Sequence, residues 1–140
     1  VELFPWRIDI PHEEVQFPSA KHEIPPSEAP KLAATLNDLQ AALQKYGAYA
    51  QVTLFVAGHT DTVSDAKYNQ ALSERRARSI ARWFRNNGIK SPIKFAGFGE
   101  SQLAVETKDG VDEARNRRAE YIIAVDPPTM GGAGVSWKKL

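Results

Sequence analysis

Two residues of opposite charge occupy positions that the surrounding pattern marks as apolar. Asp61 follows residues 52–57, a nearly continuous apolar run that predicts a buried strand, so its carboxylate should lie at the strand's end. Arg76 falls in the next predicted helix, on the side that carries the apolar residues. Burying a charge without a partner is costly. The two residues therefore either form an ion pair that stabilises the fold or present their charges to a ligand.

The helix predicted over about residues 65–87 separates its arginines onto different sides. At about 100° per residue, one side carries the apolar positions together with Arg76. The inward positions are Asn69, Leu72, Arg76, Ile80 and Trp83. The remaining arginines of the helix lie on another side, at Arg75, Arg78, Arg82 and Arg85. We interpret these four as a solvated face.

Composition excludes several classes of function. The chain has 140 residues, enough for one domain with a real core, and its net charge of +1 gives no support for binding nucleic acid or an anionic membrane. No apolar run approaches the roughly 18 residues of a membrane span, so this fragment should not insert into a membrane. The chain contains no cysteine, which excludes disulfides and thiolate chemistry. It begins at Val1 without a signal peptide, as expected of a mature fragment or excised domain.

Alternating strand and helix patterns predict the architecture. The predicted strands cover residues 14–17, 52–57, 93–96 and 117–125, and a first long helix runs from an N-cap at Ser27 to about Gly47. This order predicts an α/β sandwich, an α+β arrangement in which one layer of two long helices packs on one face of a mixed sheet.

The two ends of the chain are expected to lie outside that core. Residues 1–11 alternate apolar and polar side chains and should add a short edge strand or cover the core. After Pro127 the chain is rich in glycine and is expected to be loose. Near its end, the segment Trp137-Lys138-Lys139 could dock either on the domain or on a partner, and the sequence does not decide between the two.

Several short motifs, in order along the chain, resemble the peptidoglycan-binding domain of the outer-membrane protein A (OmpA-like) family. They are Gly58-His59-Thr60-Asp61, Tyr68-Asn69, Leu72-Ser73, Arg75-Arg76-Ala77, Gly97-Phe98-Gly99-Glu100 and Asn116-Arg117-Arg118-Ala119-Glu120. The resemblance covers most of the chain. It predicts an N-terminal extension over 1–13, the binding domain over 14–126 and a tail over 127–140, with a β-α-β-α-β-β core.

The resemblance also implies a ligand. In that family the residues matching Asp61 and Arg76 hold the meso-diaminopimelate of the peptidoglycan stem peptide. The free end of this diamine carries an ammonium and a carboxylate on one carbon. Arg76 is expected to bind the carboxylate with two parallel hydrogen bonds, and Asp61 to accept from the ammonium.

Further ligand contacts are expected from residues near this pair. Asn69 either bonds the ligand or braces the loop, Thr60 supplies a backbone or hydroxyl contact, and Leu72 lines the site. Arg117 shares the parity of Ala119 and Tyr121, so we expect it, rather than Arg118, to be the second cation.

Two segments depart from the family pattern. The loop over residues 17–20 lacks the acidic or amide residue common there, which leaves a ligand contact from this loop open. The turn at Val63-Ser64 lacks a common glycine.

The sequence thus predicts a non-catalytic domain without cofactor or metal, in the periplasm and associated with the outer membrane of a Gram-negative cell. Its expected partner is diaminopimelate-type peptidoglycan, with an envelope protein as a possible second partner. The alternative is a protein-interaction module on the same fold. A third interpretation, a hydrolase using His59 and Asp61, has no nucleophile motif to support it. A metal site would need further ligands, and His12 and His22 lie in a proline-rich leader.

Overall fold

The computed structural model describes residues 7–9, 14–48, 51–101, 103, 105–124 and 136–140. Its described strands form one mixed sheet in the order β1-β5-β3-β4-β6, with β2 also pairing with β5. The strands are β1 Arg7–Asp9, β2 Val15–Gln16, β3 Thr53–Gly58, β4 Ile93–Gly97, β5 Arg118–Ala124 and β6 Lys138–Lys139. Neighbours β3 and β4 run parallel, and the other pairs are antiparallel.

Two long helices cover one face of this sheet. Helix α1 spans Ala29–Gly47, and α2 spans Ala66–Asn86. Asp65 is the N-cap of α2: its carboxylate accepts a hydrogen bond from the amide of Tyr68 at 2.8 Å. Apolar side chains from both helices share one core cluster with the helix-facing residues of the sheet: Leu32, Leu39, Ile80, Phe84, Leu54, Val56, Tyr121 and Ile123. The predicted fold, two helices on one face of a mixed sheet, is confirmed.

The other face of the sheet carries a smaller aromatic cluster. Alternate residues of a strand point to opposite faces, so Phe55 and Ala57 face away from the helices. Trp137 packs on this face, with its ring 5.1 Å from that of Phe55 and 5.8 Å from that of Phe98. The expectation of a loose tail is wrong for residues 136–140, where β6 pairs with β4 and Lys138 Nζ contacts Glu74 at 2.7 Å. Of the two alternatives for the segment from Trp137 to Lys139, docking on the domain or on a partner, the structure shows docking on the domain.

Two glycines let α2 approach the ends of the central strands. Gly58 of β3 and Gly97 of β4 are paired in register. A Cβ on Gly58 would lie 2.0 Å from the carbonyl oxygen of Ser73, and one on Gly97 would lie 2.3 Å from the Ser73 hydroxyl. Any side chain at either position would push α2 away from the sheet. The glycines thus fix the helix that carries Arg76 against the strand end that precedes Asp61.

The ends of the predicted elements differ slightly from the observed ones. Of the N-terminal residues, 7–9 form β1, which pairs with β5 as an edge strand, the first of the two expected roles. The last strand, predicted over residues 117–125, begins at Arg118; its expected end at Val125 lies outside the described residues, as do residues 127–135. Across the described part of the chain, no helix is both long and apolar enough to cross a membrane.

Candidate functional site

Asp61 lies in the loop that leaves the end of β3 and is 5% exposed. Its Oδ2 accepts from Arg117 Nη1 at 2.8 Å and from the amide of Glu113 at 3.4 Å. Its Oδ1 accepts from the amide of Val63 at 3.4 Å. One short ion pair and two long amide contacts hold the carboxylate, so its position is fixed while acceptor capacity remains.

Arg117 precedes β5 and brings the second charge to the site. Besides Asp61, its Nη1 contacts the carboxylate of Asp112, and its Nε donates to the carbonyl of Phe17 at 2.8 Å. Its other terminal nitrogen, Nη2, makes no hydrogen bond within the described residues. Burial lowers the pKa of the guanidinium, but the hydrogen bonds to Asp61 and Asp112 outweigh burial and raise that pKa above its ordinary value. Arg117 is therefore a permanent cation with unused donors.

Arg76 is fully buried, and each of its three side-chain nitrogens donates a hydrogen bond to a backbone carbonyl. Nε donates to Lys21 at 2.8 Å, Nη1 to His59 at 3.0 Å and Nη2 to Pro18 at 3.1 Å. Its Cζ lies 5.2 Å from the centre of the Phe17 ring. The guanidinium thus ties the 17–21 loop to the end of β3.

The charge of Arg76 has no ion-pair partner within 4 Å among the described residues, so the purely structural Asp61–Arg76 salt bridge is not formed. Burial lowers the pKa of Arg76 to about 10. Asp61 opposes that shift and Arg117 adds to it, which indicates that both lie close enough to act electrostatically. Arg76 remains protonated at neutral pH and adds positive potential beneath the site.

The remaining predicted residues support this cluster or lie beside it. Asn69 Nδ2 donates to the carbonyls of Asp61 at 3.2 Å and Ser64 at 2.8 Å, so it braces the loop. The amide of Thr60 donates to Gly99 at 2.9 Å, and its buried hydroxyl has no partner in the described part of the chain. Leu72 is buried at 3% exposure. The structure therefore brings together Asp61 and Arg117, with Arg76 below them, but gives Thr60 and Leu72 no contact with that pair.

Sequence reasoning missed the residues that shape the neighbouring loop. Thr62 Oγ1 donates a hydrogen bond to the carbonyl of Lys108 at 2.7 Å and accepts one from the amide of Val111 at 3.0 Å. The side chain of Asn116 bonds the amide and the carbonyl of Val105 at 2.8 and 2.9 Å. Together they fix residues 105–116 beside Asp61. The only signal for Asn116 was its place in the Asn-Arg-Arg motif, and Asp112 gave none.

His59 is buried, and its ring contacts Glu120 and Phe98. Its Nε2 lies 3.0 Å from Glu120 Oε1, and its ring stacks on Phe98 with centroids 5.7 Å apart. Burial lowers the pKa of His59, although the hydrogen bond to Glu120 opposes the shift. A buried imidazole engaged by Glu120 is poorly placed to activate a nucleophile. Among the residues that the structure describes, no group of three or more His, Cys, Asp or Glu side chains could hold a metal ion.

Comparison with known proteins identifies the family. The model of the OmpA family matches residues 16–117, well over half of the chain. The chain belongs to the OmpA family. This is a family of non-catalytic structural and anchoring proteins, which confirms that the domain is not an enzyme.

Two curated relatives show how far the likeness to this OmpA-family chain extends. The outer-membrane lipoprotein YfiB of Pseudomonas aeruginosa is 40% identical over 70 residues, which cover 49% of this chain and 42% of YfiB. The peptidoglycan-associated lipoprotein of Legionella pneumophila is 37% identical over 70 residues, which cover 49% of this chain and 40% of that lipoprotein. The chain therefore spans about two-fifths of the length of these relatives. Such relatives confirm the expected location at the outer membrane and periplasm of Gram-negative bacteria.

Solved structures share the OmpA-like fold. The peptidoglycan-associated lipoprotein from Burkholderia pseudomallei superposes with a TM-score of 0.64 at 20% identity, covering 79% of this chain and 88% of that one. The cell wall anchor of the T6SS from Pseudomonas aeruginosa superposes with a TM-score of 0.56 at 24% identity, covering 79% and 75%. At these identities the likeness establishes the fold.

Proposed function

We propose that this domain binds peptidoglycan without catalysis, through the meso-diaminopimelate of the stem peptide, and so anchors an envelope protein to the cell wall. The observation that carries the proposal is the Asp61–Arg117 pair. It sets opposite charges 2.8 Å apart, with the arginine side chain 13% exposed and its Nη2 without a partner among the residues that the structure describes. The presence of a peptidoglycan-associated lipoprotein and a cell wall anchor among the similar proteins supports the same function.

The ligand's free end matches this charge arrangement. Its ammonium donates to Asp61, and its carboxylate is held by the two arginines. Arg117 offers its free Nη2 directly. Arg76 adds its unneutralised charge from below, and it contacts the carboxylate itself when one of its three carbonyl partners gives way. Asn69 keeps the Asp61 loop in place, while Thr60 and Leu72 are buried beside the site rather than in contact with the ligand.

Co-sedimentation with purified diaminopimelate-type sacculi tests the proposal. Asp61→Ala should lose most of the bound fraction, because it removes a charge-assisted contact and leaves the ligand's ammonium unpaired. Arg75→Ala is the control for loss of a nearby charge: it removes an exposed arginine of α2, next to Arg76, and should bind like wild type. Retention of Asp61→Ala on sacculi at the wild-type level would contradict the site. Equal loss in Arg75→Ala would show that binding is only non-specific charge attraction.

One observation favours the protein-interaction alternative. Three large apolar side chains are exposed: Val63 at 44%, Tyr68 at 39% and Val111 at 37%. Val63 and Tyr68 follow Asp61 closely in sequence, and the amide of Val111 bonds the hydroxyl of Thr62, the residue after Asp61. We call these three residues the apolar rim. An apolar rim of this kind suits a protein partner as well as the alkyl chain of a diamine. If sacculi do not bind the domain and an envelope protein is retained through this rim, the alternative replaces peptidoglycan binding. A Val63→Ser variant should then lose that partner, whereas Asp61→Ala should not.

A further inference from the structure

The Arg117 guanidinium is shared by two carboxylates that differ sharply in how they are held. Asp61 has a side-chain exposure of 7% and receives amide hydrogen bonds from Val63 and Glu113. Asp112 has a side-chain exposure of 68% and, within the described residues, bonds nothing except Arg117. The first carboxylate is fixed by the backbone, and the second is held by one solvent-exposed ion pair.

We propose that Asp112 is an internal competitor for the ligand's carboxylate: this carboxylate can reach Arg117 Nη2 directly, but a two-point grip also needs Nη1, which the Asp112 side chain must first leave. The inference rests on the proposed function, because it names the residue that sets the affinity of that same site. An exposed ion pair is weak, since water solvates both partners once they separate. Asp112 can therefore be displaced at small cost, while Asp61 stays to receive the ammonium.

The positions of the ligand's charges favour displacement rather than addition. A bound diaminopimelate end would bring one ammonium and one carboxylate, so the net charge of the site would not change. The ammonium goes to Asp61, whereas the carboxylate would come to the guanidinium that Asp112 already contacts. Carboxylates gathered at one guanidinium repel one another, and Asp61 is held by amides, so the exposed Asp112 is the one expelled.

The loop around Asp112 lets the side chain move without the backbone. The amide of Gly110 donates to the carbonyl of Thr62 at 2.7 Å, and Val111 is held by the Thr62 hydroxyl. On the other side, Asn116 ties the base of the loop to Val105. With both sides of Asp112 anchored, a change of its side-chain rotamer suffices to uncover Arg117.

The proposal makes a prediction that depends on the ligand. A diaminopimelate stem peptide competes with Asp112, whereas a matched lysine peptide lacks the neighbouring carboxylate and does not. Asp112→Asn should therefore bind the diaminopimelate peptide at least threefold more tightly than wild type and leave the lysine peptide unchanged. Asp112→Ala, which removes the acceptor as well, should show the same gain.

The test is a titration of the domain with both peptides at fixed salt, using Asp109→Asn as the matched control. Asp109 is an exposed carboxylate of the same loop, so this control removes one negative charge without touching Arg117. It should bind like wild type. Unchanged or weaker diaminopimelate binding by both Asp112 variants, or an equal gain in Asp109→Asn, would overturn the role of Asp112. If Asp61→Ala abolishes binding in the same titration, the proposed function stands even so. No binding by wild type would overturn both.

Discussion

Two buried or half-buried arginines contact the same 17–21 loop and are held by different chemistry. Arg76 gives every nitrogen to a neutral carbonyl, from Pro18, Lys21 and His59. In Arg117, Nε donates to the Phe17 carbonyl, Nη1 is shared between two carboxylates, and Nη2 has no partner in the described part of the chain. Carbonyl partners fix geometry and leave the positive charge in place, whereas carboxylate partners neutralise the charge but can be exchanged for another anion.

This difference suggests a division of roles between the arginines. Arg76 shapes the site, because it joins the loop to the strand end and supplies positive potential. Arg117 makes the exchangeable contact. Burial alone therefore does not tell which arginine meets the ligand first; the number of unused donors is the better guide.

The largest expected effect is on stability, in Arg76→Ala. Removing this guanidinium leaves three carbonyls without their donor, so we expect a loss of about 3–5 kcal/mol in the free energy of unfolding. Urea unfolding of the purified domain measures it. A loss below about 1 kcal/mol would show that Arg76 is not the structural tie between the loop and β3, and the contrast with Arg117 would fail.

Arg117→Ala should show the opposite balance. Asp61 would keep its two amide contacts, so the stability loss should be smaller, about 1–2 kcal/mol. Affinity for a diaminopimelate peptide should fall at least tenfold, because the unused donors are lost. Arg118→Ala is the informative neighbour: Arg118 pairs with Glu14 at 2.9 Å, so its loss should spare binding. Equal binding loss in the two variants would contradict the specific role of Arg117.

A smaller effect is expected within the loop that Arg76 holds. Ala20 has a φ of +59°, a left-handed conformation that costs a non-glycine residue about 1–2 kcal/mol. Ala20→Gly should stabilise the domain by about 0.5–1 kcal/mol, after allowing for the greater freedom of glycine in the unfolded chain. The matched control is Ala34→Gly in α1, which should cost about 1 kcal/mol. Destabilisation by both would show that Ala20 is not strained.

The sequence predicted the parts of the site that follow regular periodicity. Strand and helix patterns placed Asp61 at a strand end and Arg76 on an inward helix face, and parity selected Arg117 over Arg118 for the site-facing position. The side of Arg76 follows from 3.6 residues per turn, which the sequence displays directly. Asp61 and Arg117 lie just outside β3 and β5, so the strand patterns locate them along the chain but do not fix their side chains.

The contacts that distinguish the two arginines were not predictable in this way. The carbonyl partners of Arg76 come from Pro18 and Lys21, in an irregular loop more than 50 residues away in sequence. Asp112 lies in a loop without periodicity. Strand β6 has two residues and forms where Trp137 fits between Phe55 and Phe98, which depends on the assembled sheet face.

The proposed mode of binding is two-point capture of an ammonium and its neighbouring carboxylate. Its most direct test is a calorimetric titration of the wild-type domain with two stem peptides that differ only in carrying meso-diaminopimelate or lysine. Lysine keeps an ammonium for Asp61 but offers no carboxylate to the arginines, so we expect at least tenfold weaker binding, or about 1.4 kcal/mol. Indistinguishable affinities for the two peptides would contradict two-point capture.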